Sequence, residues 1–309
     1  METEKPRARI SEAKLQKKSV KFQAENEKII ELEAVYEDSL PTGSTLGTVV
    51  GFHGSPGSHN DFKYVRDKLD SMGIRFIGIN YPGFSHTPGY EGQQHGNPER
   101  QSFTNSLLDE LQIEGKIIFV GHSRGCENAL QTAVGRLAHG LVLINPTGFR
   151  HHKGIRPFYR LEYLDYLYGI LPSFMGNAMM LGIYKAIGFK VQTGEEAINA
   201  MRSAMRMSLE DQIAFIEKLN QKNTKKLIVF GGNDHLVEEE IVLEKLEKHD
   251  GLEHFRFEDG VSEEEKLKVM DSFTGNKLGA SVFVAKDTHF QNKSQADLVA
   301  TACKKMLEV

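Results

Sequence analysis

The sequence predicts an α/β protein: a mostly parallel, doubly wound sheet with an inserted helical cap. Three observations predict it. Short runs of β-branched and apolar residues recur along the chain, with helical patterns between them. Runs such as VVGF, IIFV, LVLI, LIVF and VFV are continuously apolar, as strands covered on both faces must be. The interval between residues 145 and 225 carries no strand signal and reads as several helices.

The first 22 residues, METEKPRARISEAKLQKKSVKF, are rich in Lys and Arg and have no apolar stretch to act as a secretory signal. Glu2, Glu4 and Glu12 interrupt the positive charge, which argues against a transit peptide. This segment, 1–22, is expected to be a flexible charged arm. Strands are expected over 28–36, 48–53, 74–80, 116–120, 141–145, 226–230 and 281–285. Helical patterns occupy 60–72, 98–111, 126–137 and 294–307. Strand and helix in alternation predict a parallel sheet with helices on both faces. The core is therefore expected over 23–149 and 225–309, with the cap over 150–224.

The cap is rich in aromatics and methionine: Phe158, Tyr159, Tyr163, Tyr166, Tyr168, Phe174, Met175, Met179, Met180, Tyr184, Met201, Met205 and Met207. Helical spacing alone would make these the cap's own core. Several are also suited to lining an adaptable apolar pocket, because Met fills irregular shapes. Between 238 and 280 two charged patterns, EEEIVLEKLEKH and SEEEKLKVMDSF, predict an exposed helical embellishment or a partner surface.

Composition excludes several functions. Hydrophobic residues make up 39% and charged residues 26% of 309, as in ordinary globular proteins. A formal net charge of -4 argues against a nucleic-acid partner, which selects a basic face. The two cysteines, Cys126 and Cys303, form neither a CxxC nor a Cys/His cluster, so no metal site and no disulfide framework are expected. Sparse cysteine predicts a reducing, cytoplasmic setting. No run approaches the ~18 apolar residues of a membrane span. Oligomeric state is not legible.

The chemistry concentrates where strands end. KIIFVGHSRG, 116–125, is a strand running into G-x-S-x-G, followed by a helical stretch. A nucleophile elbow needs that context, with no side chains at the flanking positions, here Gly121 and Gly125. It would lift the Ser123 hydroxyl clear of the sheet and aim a helix N-terminus at the reacting centre. A bystander serine in a tight turn is the plainer alternative. A second loop, TVVGFHGSPG over 48–57, follows a buried strand. Acyl transfer needs two amide donors for the developing oxyanion, one after the nucleophile and one from a neighbouring loop. Arg124 and Ser55 are the candidates, with Gly54 beside Ser55; Pro56 has no N–H to offer. His53 is expected to orient the loop through its ring nitrogens.

HGSPGS, then NYPGFSHTPG, then GHSRG, in that order, resemble the α/β-hydrolase superfamily, in the branch of epoxide hydrolases, haloalkane dehalogenases and small esterases. The resemblance spans about 28–309, and the whole chain resembles an uncharacterised nematode family of that fold. It implies an acid after the strand following the cap, where KLIVFGGND ends in Asp234, and a base after the last strand, where SVFVAKDTHF carries His289. A turn aspartate capping a helix near Val237 is the other reading of Asp234. The alternative acid position reads Asn145-Pro146-Thr147, without a carboxylate. His235 adjoins Asp234 but lies on the wrong segment for the base. Asn80 stands where the family often has Asp.

Serine at position 123 disfavours the carboxylate-driven attack of epoxide hydrolases and dehalogenases. A His-activated hydroxyl suits esters, thioesters or amides, through an acyl-enzyme and with no cofactor. The sequence thus predicts a serine hydrolase acting on a small to medium apolar, ester-like molecule. A slow or inactive relative serving as a small-molecule receptor is the alternative, and a lipase or peptidase the second.

Overall fold

The computed structural model describes residues 14–309. In chain order the elements are β1 (Leu15–Gln23), β2 (Ile29–Asp38), β3 (Thr48–Phe52), α1 (Lys63–Ser71), β4 (Arg75–Gly78), α2 (Asn97–Glu110), β5 (Ile117–His122), α3 (Gly125–Gly135) and β6 (Gly140–Ile144). Then come α4 (Tyr159–Ile170), α5 (Ser173–Ala186), α6 (Gly194–Met205), α7 (Gln212–Gln221), β7 (Lys225–Gly231), α8 (Glu239–Leu246), β8 (Glu253–Phe257), α9 (Glu263–Asp271), β9 (Gly279–Val284), α10 (Gln291–Ser294) and α11 (Ala296–Glu308). The strands form one sheet in the order β1-β2-β4-β3-β5-β6-β7-β9-β8. Pairing is parallel from β4 through to β8, and antiparallel only where β2 meets β1 and β4.

The continuously apolar runs occupy the centre of the sheet, and alternate residues serve two separate cores. Phe119, Leu141, Leu143, Ile228 and Phe230 face one cluster with α2, α3 and α8. Ile118, Val120, Val142, Ile144, Leu227 and Val229 face the other, with α1, α9 and α11. A strand with helices on both sides has no wet face, so every position is apolar.

Two strands lie where the sequence suggested none. Residues 15–22 fell within the expected charged arm, yet they form most of β1, paired with β2 from Leu15↔Glu37 to Gln23↔Ile29. Only Val20 and Phe22 turn inward, where Phe22 meets Phe103 edge-on at 5.4 Å. Lys17 and Lys21 on the other face are exposed, and on a half-wet edge strand that charge hides the period-2 signal. Residues 1–13 of the expected arm lie outside the described residues. Strand β8 corrects the second expectation, since the stretch 238–280 is not helical throughout. Its Phe255 and Phe257 share one side, 6.3 Å apart, and it adds to the sheet edge beside β9. Five residues between two charged helices carry too short an alternation to stand out.

The segment between β6 and β7 contains four helices and no strand. Its tyrosines do not all turn inward. Tyr168, Met180, Tyr184 and Met201 belong to or pack on the core, whereas Tyr159, Tyr163, Tyr166, Phe174 and Met175 are exposed. Among the described residues no helix is long and apolar enough to cross a membrane.

Candidate active site

Ser123 stands between β5 and α3 with φ of +52°, and its amide donates to the carbonyl of Ile144 at 2.9 Å. Only an unusual backbone brings the chain out of the strand and directly into a helix here. Both flanking glycines are sterically required. A Cβ on Gly121 would lie 2.5 Å from Cys126 Cα, and one on Gly125 would lie 2.1 Å from the Phe52 carbonyl oxygen. The elbow is thus packed tightly against the end of β3.

The loop after β3 lies beside it. A Cβ on Gly54 would sit 3.2 Å from Ser123 Cβ, so the backbone at Gly54 borders the serine. His53 Nδ1–H donates to the Gly54 carbonyl at 2.7 Å, and its Nε2 accepts from the Tyr81 amide at 3.4 Å. Nδ1 thus bonds the loop itself and Nε2 the segment after β4, and burial pushes His53 down to about 4, so the ring is neutral near pH 7. The Gly54 amide is turned toward Asp61, at 3.4 Å. Among the described residues neither the Ser55 nor the Arg124 amide has a hydrogen-bond acceptor.

Asp234 and His289 meet, though 55 residues separate them. His289 Nδ1–H donates to Asp234 Oδ2 at 2.7 Å, which leaves Nε2 as the unprotonated nitrogen. Asp234 Oδ1 accepts from the amides of Leu236 at 2.7 Å and Val237 at 3.0 Å. One oxygen of Asp234 thus braces the turn, and the other faces the imidazole. Burial by itself would raise the Asp234 carboxyl, but the bonds from His289 and from the two amides draw it down to about 2. Burial pushes His289 below its ordinary 6.5; Asp234 resists this and nearby His122 adds to it. Near pH 7 the pair is therefore a carboxylate and a neutral imidazole. His235 is exposed and away from this contact.

Other groups of the site were not legible from sequence. Asn145, at the end of β6 with φ of +45°, donates from Nδ2 to Asp234 Oδ2 at 2.9 Å. The position lacks a carboxylate of its own and instead supports the one on the next strand. Its location at a strand end was the available signal. His122 Nε2–H donates to the His289 carbonyl at 2.9 Å, tying the elbow to the loop after β9. Lys153 Nζ donates to the Asp234 carbonyl at 2.6 Å. Asn80 is fully engaged: its Oδ1 accepts from the His59 amide and its Nδ2 donates to the Val35 carbonyl, each at 2.9 Å.

Helix α6 lies directly over the elbow. Ser55 Oγ donates to the Ala200 carbonyl at 3.0 Å, and Arg124 Nε donates to the Ser203 carbonyl at 3.1 Å. Arg124 also pairs with Glu127, whose Oε2 accepts from the Ser208 amide at 3.1 Å. The other face of α6 borders a cleft of about 640 Å³, lined in part by Tyr168, Asn177, Ile198, Arg202 and Met205. None of Ser123, Asp234 or His289 lines that cleft. Helix α6 thus meets Ser55 and Arg124 through its Ala200 and Ser203 carbonyls and borders the cleft with Ile198, Arg202 and Met205.

Comparison with known proteins agrees with this architecture. The family model described as "Alpha/beta hydrolase of unknown function (DUF1057)" matches residues 12–308. An uncharacterised Caenorhabditis elegans protein, F35H12.5, is 29% identical over 286 residues, covering 87% of this chain and 79% of that protein. An esterase from Thermogutta terrifontis superposes with a TM-score of 0.64 at 17% identity, covering 95% of this chain and 98% of that one. An esterase from Exiguobacterium antarcticum does so with a TM-score of 0.59 at 15% identity, covering 94% of this chain and all of that one, 100%. At these identities the two structures establish the fold, and the family match over nearly the whole length establishes that this chain belongs to the DUF1057 family of α/β hydrolases.

Proposed function

We propose that the protein is a serine hydrolase that cleaves a carboxylic ester, thioester or amide of a small to medium apolar molecule. The observation that carries this is the buried contact between His289 Nδ1 and Asp234 Oδ2, 2.7 Å, on a loop that His122, the residue before Ser123 at the strained strand-to-helix turn, holds through the His289 carbonyl. A neutral imidazole held by a carboxylate in this tautomer keeps its Nε2 lone pair for a proton. In the proposed reaction Ser123 Oγ attacks the acyl carbon and its proton passes to His289 Nε2. Asp234, already ionised, stabilises the imidazolium. The amides of Ser55 and Arg124 receive the oxyanion. As the tetrahedral adduct collapses, His289 returns the proton to the departing alcohol, thiol or amine. Water, deprotonated by the same nitrogen, then releases the acid and regenerates Ser123.

A second reading has its own support. Helix α6 is bonded to the side chains of Ser55 and Arg124, the two candidate oxyanion donors, as suits a binding protein that turns over slowly. The two readings diverge in one experiment. Fluorophosphonate labelling is followed by steady-state hydrolysis of nitrophenyl esters of increasing acyl length. A hydrolase labels at Ser123 and turns over, and Ser123→Ala abolishes both while the fold persists. Ligand-dependent thermal stabilisation without turnover would select the binding protein.

A further inference from the structure

Helix α4 has the wrong side wet. Tyr159, Tyr163, Tyr166 and Ile170 follow the i, i+4, i+7, i+11 spacing and form one stripe, each between 60% and 64% exposed. The opposite side of the helix, with Leu161, Leu164 and Tyr168, packs on the core. Leu171 and Pro172 turn the chain into α5, and the stripe continues through Phe174, 74% exposed. Scattered exposed apolar residues need no explanation, but a contiguous aromatic face on a folded surface marks something that covers it.

The charge around that face says what. Residues 150–190 carry six Lys and Arg against two carboxylates, Glu162 and Asp165, within a chain of net charge -4. Arg150 and Arg156 are neutralised by Glu244 and Glu238, and Asp165 is held by Arg202. Arg160, Lys185 and Lys190 remain exposed and outside any ion pair among the described residues. A second copy of the chain docking by the same face would bring these cations together, which disfavours self-association. Tyrosine is also the side chain suited to a water–lipid boundary, with its ring in the apolar layer and its hydroxyl wet.

We propose that the α4–α5 face docks on an anionic lipid surface, with the tyrosine stripe and Phe174 at the headgroup–acyl boundary and Arg160, Lys185 and Lys190 against lipid phosphates and carboxylates. This is surface binding by an amphipathic helix and not insertion across the bilayer. It is independent of turnover, so it stands or falls separately from the hydrolase reading.

The chain has no tryptophan, so Tyr163→Trp supplies a unique reporter. Its emission is followed on titration with vesicles of phosphatidylserine mixed with phosphatidylcholine. The expected result is a blue shift, quenched by brominated acyl chains and weakened by salt. Leu137→Trp, exposed but off this face, should not shift. Each cation near an anionic surface is worth about fivefold in partitioning, so reversing Arg160, Lys185 and Lys190 to Glu in the reporter background should lower it by ~100-fold or more. Thermal melting checks that these surface variants remain folded. The proposal is overturned by unshifted emission with anionic vesicles or by equal partitioning into pure phosphatidylcholine. A shift that needs no vesicles and grows with protein concentration also overturns it, because that would identify a second copy as the occupant.

Discussion

Asp234→Asn tests the candidate site at its most constrained atom. The side chain has no harmless way to become an amide. Oδ1 accepts two backbone amides, from Leu236 and Val237, so the amide oxygen must stay on that side. The new NH2 then replaces Oδ2, where it faces both the Asn145 amide donor and His289 Nδ1. Turning the group over instead sets NH2 against two backbone N–H donors. In the less costly arrangement His289 must accept at Nδ1 and carry its proton on Nε2, so the lone pair needed for Ser123 is lost. The loss of imidazolium stabilisation adds to this. A tautomer error of this kind costs about 10⁴ in kcat, or ~5.5 kcal/mol of transition-state stabilisation. The assay is kcat/KM on one nitrophenyl ester for Asp234→Asn, His289→Ala, the double variant and His235→Ala, with circular dichroism to confirm folding. The double variant should be about as slow as His289→Ala, because the two residues act as one unit. Near-normal activity in Asp234→Asn, or a greater loss in His235→Ala than in His289→Ala, would refute this assignment.

Three further outcomes follow from the same geometry. His289 is held below 6.5 and must be neutral to act as the base, so kcat/KM should rise with pH and reach its plateau through an apparent pKa under 6.5; a midpoint well above 6.5 would contradict the burial argument. His53 is held at about 4 against 6.5 in the unfolded chain, which therefore takes up its proton first. Stability is full above pH 6.5 and falls as the pH drops toward 4, by about 3 kcal/mol at the limit; a Tm that stays flat between pH 7 and 5 would count against it. Glu127→Gln leaves the buried Arg124 guanidinium without its carboxylate and weakens the tie to Ser208, so urea unfolding should register a loss of about 3–5 kcal/mol; a change within about 0.5 kcal/mol would place that pair outside the fold's energetics.

Local signals carried far in this chain. The central strands were legible because burial on both faces makes them apolar at every position, a property that needs no knowledge of their neighbours. The elbow at Ser123 was legible because such a turn imposes its own residues: a Cβ at Gly121 or Gly125 would run into the backbone of Cys126 or Phe52. Asp234 and His289 were reached only through resemblance to a family, since nothing in residues 226–234 by themselves points to a histidine 55 positions on.

What tertiary structure decided was whatever depends on two distant segments meeting. Strands β1 and β8 owe their state to a pairing partner at the sheet edge, and their own alternation is too short or too charged to announce it. Asn145 acquires its role because β6 and β7 lie side by side, which brings an amide within 2.9 Å of a carboxylate. The aromatic richness of 150–224 was visible in the sequence, but helical periodicity cannot say which stripe faces the core. Packing assigned Tyr168 and Met201 inward and left Tyr159, Tyr163 and Tyr166 to solvent. Composition records how much apolar surface a segment has, and only the closing of the chain determines where that surface is spent.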